Sequence, residues 1–247
     1  MTLRTTDMTG SSLTSDDISA INYASLMGAK VISNSWGGYT SDQALKDAID
    51  NSSAVVVCAA GNLDAFGYPL DNDIRPFYPA AYTSDNIIAV AATDTTDNLA
   101  SFSHYGQISV DVAAPGVSIY STNISSGNVT ASYHYLDGTS MATPFVSGVA
   151  ALVKSTNPRL SAKQIKNVIL NNVDVLPSLF GKVNTSGRLN AYKSVLAAQS
   201  MAETEKIGVY QNGSWLLDND GSGGWSVSDK NYGFGAAGWA PVVGRWH

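Results

Sequence analysis

From Ala54 to Ala60 the chain reads AVVVCAA, an apolar run with no charge or hydroxyl in it. Such a run predicts a strand covered on both faces. Ala29–Asn34 (AKVISN), Asn86–Ala92 (NIIAVAA) and Ile108–Ala113 predict three more strands. Between them the period changes. Ile18, Ala20, Ile21 and Ala24 recur at helical spacing across Ser15–Leu26, with Ser15 as N-cap and Gly28 as stop. Ser41–Asp50 predicts a second helix, capped by Ser41. Strands alternating with helices predict an α/β fold, a mainly parallel sheet between layers of helices.

Further on, Thr139–Ser155 is small and apolar nearly all round, which predicts a helix buried mid-domain. Ser161 and Gln164 have the spacing of a capping box for a helix running through Val173. Another helix begins near Asn190 and fades into the polar AAQSMAETEK. After Lys206 the chain turns rich in Gly, Trp, Tyr and Asp, which predicts short strands and tight turns. A segment of about 40 residues buries little core alone. The expected organisation is therefore a domain over 1–200, a linker over 201–206 and a truncated β-repeat unit over 207–247.

Composition narrows the function. The net charge is −6, which argues against a nucleic-acid partner. No run approaches the roughly 20 apolar residues of a membrane span. Glu203 and Glu205 are the only glutamates, and every other acid is Asp, which suits turns and caps. Cys58 is the single cysteine and reads as an inert core thiol. The start, MTLRTTDMTG, has no signal-peptide stretch, whereas sequons at Asn51, Asn123, Asn128, Asn184 and Asn212 would fit export.

The chemistry gathers around DGTSMATPFVSGVAALV, Asp137–Val153. Pro144 is tolerated only near the start of a helix, so the helix begins close to Ser140. Free N–H groups there stabilise negative charge, which suits Ser140 as a nucleophile whose own N–H serves an oxyanion hole. AAGN, Ala59–Asn62, ends the AVVVC strand, and sites in parallel sheets gather at the carboxyl ends of strands. There the Asn62 amide can point at a developing oxyanion. SNSWGG, Ser33–Gly38, ends the preceding strand, and its glycine pair leaves an edge on which an extended peptide could lie.

ISNSWGG, VVVCAAGN, FSHYG, VAAPG and GTSMATP, in this order, resemble the subtilisin-like serine proteases, the subtilases. The resemblance covers about residues 1–200 and corresponds to the later part of that catalytic domain, with its N-terminal part missing. It implies the three-layer subtilisin-like fold, a protein or peptide substrate, export to the cell surface or beyond, and no cofactor for the chemistry. It implies Ser140 as nucleophile and Asn62 as oxyanion donor. It further implies that Ser35, Trp36 and Gly37 bind substrate backbone, while Ala59, Ala60 and Gly61 wall the first specificity pocket.

One departure matters. The family's triad runs Asp, His, Ser along the chain. Its Asp-Thr/Ser-Gly and His-Gly-Thr-His motifs do not occur in these 247 residues. The three histidines are His104, His134 and His247; His104 and His134 read as loop or surface residues. The chain is thus expected to be inactive unless the missing N-terminal half supplies the acid and the base. A non-catalytic binding or surface module on the same fold is the alternative. The α/β-hydrolase elbow suggested by Gly138–Ala142 needs its Asp and His after the Ser, and only His247 follows as a histidine. In the tail, Asp218, Asp220, Ser222 and Asp229 have the spacing of a calcium loop; the same run also reads as a plain hairpin turn.

Overall fold

The computed structural model describes residues 1–7, 11–124, 131–203, 208–211, 214–217 and 230–233. Four strands form the parallel heart of the sheet: β1 (Val31–Asn34), β2 (Val55–Ala59), β3 (Ile87–Thr93) and β4 (Val112–Pro115). They lie in that order, with Val31 opposite Val55, Val56 opposite Ile87 and Val90 opposite Val112. Two short strands extend the sheet beyond β4: β8 (Gly187–Arg188), parallel to β4, and β7 (Asp174–Val175), antiparallel to β8.

Every residue of β2 and β3 is buried, as the apolar runs predict. Alternate side chains serve two cores. Val55 and Val57 pack with Val146, Val149, Ala150 and Val153 of α3 (Thr139–Thr156), and with Ile165 and Ile169 of α4 (Ala162–Leu170). Val56 and Cys58 face the other way, toward Ile21 of α1 (Thr14–Leu26) and Leu45 and Ile49 of α2 (Gln43–Asp50). Each fully buried Val or Ile contributes about 1.5–3 kcal/mol relative to exposure. The sheet is thus sandwiched between helices, and α3, the central helix, touches β1, β2, β3 and β4.

Several expected boundaries shift. Helix α1 starts at Thr14 behind Leu13, whose side chain caps nothing; Asp16 and Asp17 occupy its positive end instead of a Ser15 cap. Asp42 rather than Ser41 caps α2, its Oδ1 accepting from the Leu45 N–H at 3.0 Å. The capping box of Ser161 and Gln164 forms, but α4 stops at Leu170. The strand expected over Ile108–Ala113 is Val112–Pro115, because the N–H groups of Ile108 and Ser109 donate to the Asp73 carboxylate and hold that stretch in a loop. Helix α5 (Ala191–Glu203) continues through the start of the expected linker.

A hairpin of β5 (Ile119–Ile124) and β6 (Ala131–Leu136) precedes α3. The chain divides into two compact units, Met1–Ala198 and a second from Gln199. Within the second, β9 (Gly208–Gln211), β10 (Ser214–Leu217) and β11 (Lys230–Gly233) form an antiparallel sheet in the order β11-β10-β9. Among the described residues no helix is long and apolar enough to cross a membrane.

Candidate active site

Ser140 is the second residue of α3, half-buried at its N-terminus. Pro144 lies four residues on and has no N–H to donate to the Ser140 carbonyl, so the helical ladder leaves that oxygen open. The Ser35 hydroxyl donates to it instead, at 2.9 Å. In return the Ser140 hydroxyl donates to the Ser35 carbonyl at 3.2 Å. The nucleophile candidate and the end of β1 are tied in both directions.

Asn62 follows β2 by three residues and is exposed. Its Oδ1 accepts two hydrogen bonds from Thr139, from the N–H at 3.0 Å and the hydroxyl at 3.1 Å. With the oxygen so held, the amide nitrogen lies at the other end of the planar side chain. A carbon built on Gly138 would lie 3.6 Å from Asn62 Nδ2 and 3.6 Å from the Ser140 N–H nitrogen. Two donor nitrogens therefore lie near one spot at Gly138, with Met141 Sδ 3.4 Å from it. The arrangement can hold an oxyanion between a side-chain amide and a helix N-terminus. Thr139, wholly buried, also accepts from the Gly61 N–H at 3.3 Å and fastens the strand-end loop to the helix.

The edge expected at the Gly pair is shorter than the sequence suggests. Gly38 is already paired with Tyr78, through Gly38 N–H to Tyr78 O at 2.8 Å and Tyr78 N–H to Gly38 O at 2.7 Å. Ser35 and Gly37 stay exposed, while the half-buried Trp36 packs against the core cluster of Ile21 and Tyr82. Ala59 and Ala60 are buried, with the Ala60 carbonyl accepting from Asn72 Nδ2 at 2.8 Å.

The histidines divide. His134 is exposed on β6 and bonds through Nε2 to Ser132 Oγ at 2.7 Å, not to Ser140. His104 lies in a loop, one of the two places expected for it, but is completely enclosed there, and its ring nitrogens make no well-formed hydrogen bond. Its neighbours are the rings of Phe77 at 5.6 Å and Tyr39 at 6.2 Å, and the backbone of Gly61. Burial pulls its pKa down to about 4, outweighing the opposite pulls of the Ala60 carbonyl and Asp64. A ring kept neutral and away from Ser140 is no partner for that serine. Cys58 is fully buried and its thiol is pushed far up by desolvation, so it stays protonated and inert.

No group of three or more His, Cys, Asp or Glu residues poised for a metal occurs among the described residues. Asp218, Asp220, Ser222 and Asp229 lie outside them. Phe77 and Tyr39 carry no sequence signal of their place beside His104. Thr139, a small residue between Gly138 and Ser140, allows the tight approach there and adds two hydrogen bonds to Asn62 that no local pattern announces.

These features define a subtilisin-like α/β fold, and the chain belongs to the Subtilase family, whose sequence profile it matches over residues 2–235. Among curated relatives, it is 43% identical over 198 residues to Thermitase of Thermoactinomyces vulgaris, covering 79% of this chain and 64% of that protein. To Subtilisin DY of Bacillus licheniformis it is 44% identical over 168 residues, covering 67% of this chain and 57% of the relative. A solved protease structure from Pseudoalteromonas arctica superposes with a TM-score of 0.66 at 30% identity, over 76% of this chain and 59% of that one. The chain spans less than two thirds of the length of these relatives.

Proposed function

We propose that this chain is the nucleophile-bearing part of a secreted serine endopeptidase, cutting peptide bonds through an acyl-enzyme on Ser140. One observation carries the reading: the Asn62 amide nitrogen and the Ser140 backbone nitrogen both lie 3.6 Å from one spot at Gly138. In that reading an extended substrate lies along Ser35–Gly37. Ser140 Oγ attacks the scissile carbonyl carbon and yields its proton to a base. The carbonyl oxygen becomes an oxyanion held by the two donors, and collapse expels the amine with that proton. Water then repeats the sequence on the ester.

The base and its orienting carboxylate would come from polypeptide outside these 247 residues. Among the described residues β1 ends the sheet, so its outer edge can receive another parallel strand. Helix α3 touches that same edge strand through Ser147 Oγ and Ser33 Oγ, 2.9 Å apart. By itself the chain should be inactive, because an unassisted serine hydroxyl is a poor nucleophile. A second reading, a non-catalytic module that binds peptides on this fold, is favoured by the Ser140 hydroxyl already being donated to Ser35 O.

Peptide hydrolysis, with and without the Asp/His half supplied, separates the readings. Turnover only when that half is present, abolished by Ser140→Ala, supports the peptidase. Peptide binding with no turnover in either case supports the module. Strong fluorophosphonate labelling of Ser140 in the chain alone would mean that a base is present after all, and would sink the claim of dependence on the other half.

A further inference from the structure

Asn62 follows the carboxyl end of β2, and Ser140 begins α3. The opposite end of the same elements has its own opening. There Ser52 and Ser53 precede β2, residues 83–86 precede β3, and Lys154 stands in the last turn of α3. Lys154 lies fourteen positions after Ser140 on that helix, about 21 Å along its axis at 1.5 Å per residue. These segments, with Lys30 ahead of β1 and the start of α4, line a cleft of about 670 Å³.

The lining is positive in a negative chain. Lys30, Lys154, Arg159 and Lys163 outnumber Asp50 and Asp85 there, although the protein's net charge is −6. Both carboxylates are already matched, Asp50 by Lys46 at 2.5 Å and Asp85 by Lys163 at 2.8 Å. Among the described residues Lys30 and Lys154 form no ion pair. The half-buried Lys154 donates to the carbonyls of Pro158 at 2.7 Å and Leu160 at 2.6 Å, which leaves one of its three N–H groups. Burial, and then the Lys30 charge, pull its pKa below the ordinary value. Two like charges held together without a counter-charge are costly, and an anion between them removes that cost.

Neutral donors converge on the same place. Ser84 is 6% exposed, and its hydroxyl, near the Asp50 carboxylate, makes no well-formed hydrogen bond. Ser161 caps the Gln164 N–H and leaves those of Ala162 and Lys163 without an acceptor inside α4. A helix N-terminus beside hydroxyl and ammonium donors suits an oxyanion with several acceptor oxygens.

We propose that this cleft is a second ligand site, binding a phosphate group between Lys30 and Lys154, with Ser84 and the start of α4 as further donors. Phosphate fits better than a planar carboxylate, because its oxygens point in three dimensions and a monoester carries close to two charges at neutral pH. A phosphate held there leaves the Ser140 groove open, a helix length away. Binding does not depend on Ser140 being catalytic. The phosphate is either a soluble ion or a lipid headgroup, and the two sources are separable.

Calorimetric titration of the full chain with inorganic phosphate, at fixed ionic strength, is expected to show one saturable site. Lys30→Gln and Lys154→Met should each weaken it about tenfold, the scale of one lost hydrogen bond to a charged group. Lys182→Gln removes the same charge from a position over the Tyr105 ring, outside the cleft, and should leave binding unchanged. Flotation with vesicles of phosphatidic acid in phosphatidylcholine, against phosphatidylcholine alone, separates the sources. Recovery on the acidic vesicles, lost in Lys30→Gln but kept in Lys182→Gln, assigns a headgroup; phosphate binding without such recovery assigns a soluble ion. Thermal melting checks that each variant is folded, and if Lys154→Met is not, Lys30→Gln and Ser84→Ala decide. No saturable phosphate binding to the folded chain, or the same affinity in Lys30→Gln as in Lys182→Gln, would overturn the site.

Discussion

The buried Thr139 donates both its N–H and its hydroxyl to the side-chain oxygen of Asn62, at 3.0 and 3.1 Å. An Asn amide has a carbonyl end and an amino end, and holding the first aims the second. On the proposed function, Thr139 is thus a positioning residue for Asn62 as oxyanion donor. In enzyme completed by the Asp/His half, Asn62→Ala should lower kcat by about 10²–10³. Thr139→Val should lower kcat by roughly tenfold with little change in KM, since only the transition-state contact loosens. Thr139→Ser should restore it. A Thr139→Val loss confined to thermal stability, with kcat intact, would reduce the residue to a structural role.

The Ser35–Ser140 bond exists because proline at 144 leaves a carbonyl free. Ser35→Ala should therefore cost about 0.5–1.5 kcal/mol in denaturant unfolding. In a Pro144→Ala background the new N–H can serve the same carbonyl, and the penalty should shrink. A double-mutant cycle reads the difference; an unchanged penalty would mean the two positions are independent.

His104 gives the fold a pH dependence whose sign is fixed by its lowered pKa of about 4, against an ordinary value of 6.5. Above pH 6.5 both folded and unfolded chains hold it neutral, and its contribution is fully present. Between 6.5 and 4 the unfolded chain takes up a proton that the folded chain refuses. Stability should then fall by up to about 1.4 kcal/mol per pH unit, levelling below 4. His104→Gln should flatten this part of the melting-temperature profile, measured against wild type in the same buffers. The Asp64 carboxyl, near the cluster, is held below the ordinary carboxylate range by the Tyr68 N–H and is common to both proteins.

For the tail, we propose calcium held by Asp218, Asp220, Ser222 and Asp229. Millimolar calcium should raise the melting temperature of the full chain, and Asp218→Asn with Asp220→Asn should abolish the shift. A melting temperature indifferent to calcium would leave only the hairpin-turn reading.

The strands most legible in the sequence were those buried on both faces, Val55–Ala59 and Ile87–Thr93, because continuous apolar runs have few other destinations. Helix ends were less so. Ser41 and Asp42 are both good caps, and only the chain's approach selects Asp42. The strand expected at Ile108 failed because a distant carboxylate, Asp73, captures two of its N–H groups, a contact that no local pattern announces. The site splits the same way. Ser140 and Asn62 stand out by motif and position, whereas His104 looks like a loop residue until Phe77 and Tyr39 are brought around it.

The hydrogen bonds that shape the site join residues far apart along the chain, 105 positions from Ser35 to Ser140 and 77 from Asn62 to Thr139. No short stretch can preassemble any part of it, because each bond must wait for the entropy of a long loop to be overcome. The site therefore forms together with the domain's other long-range contacts and not ahead of them. A nascent or partly unfolded copy carries Ser140 without Ser35 beside it, and Asn62 without Thr139 to hold its side chain.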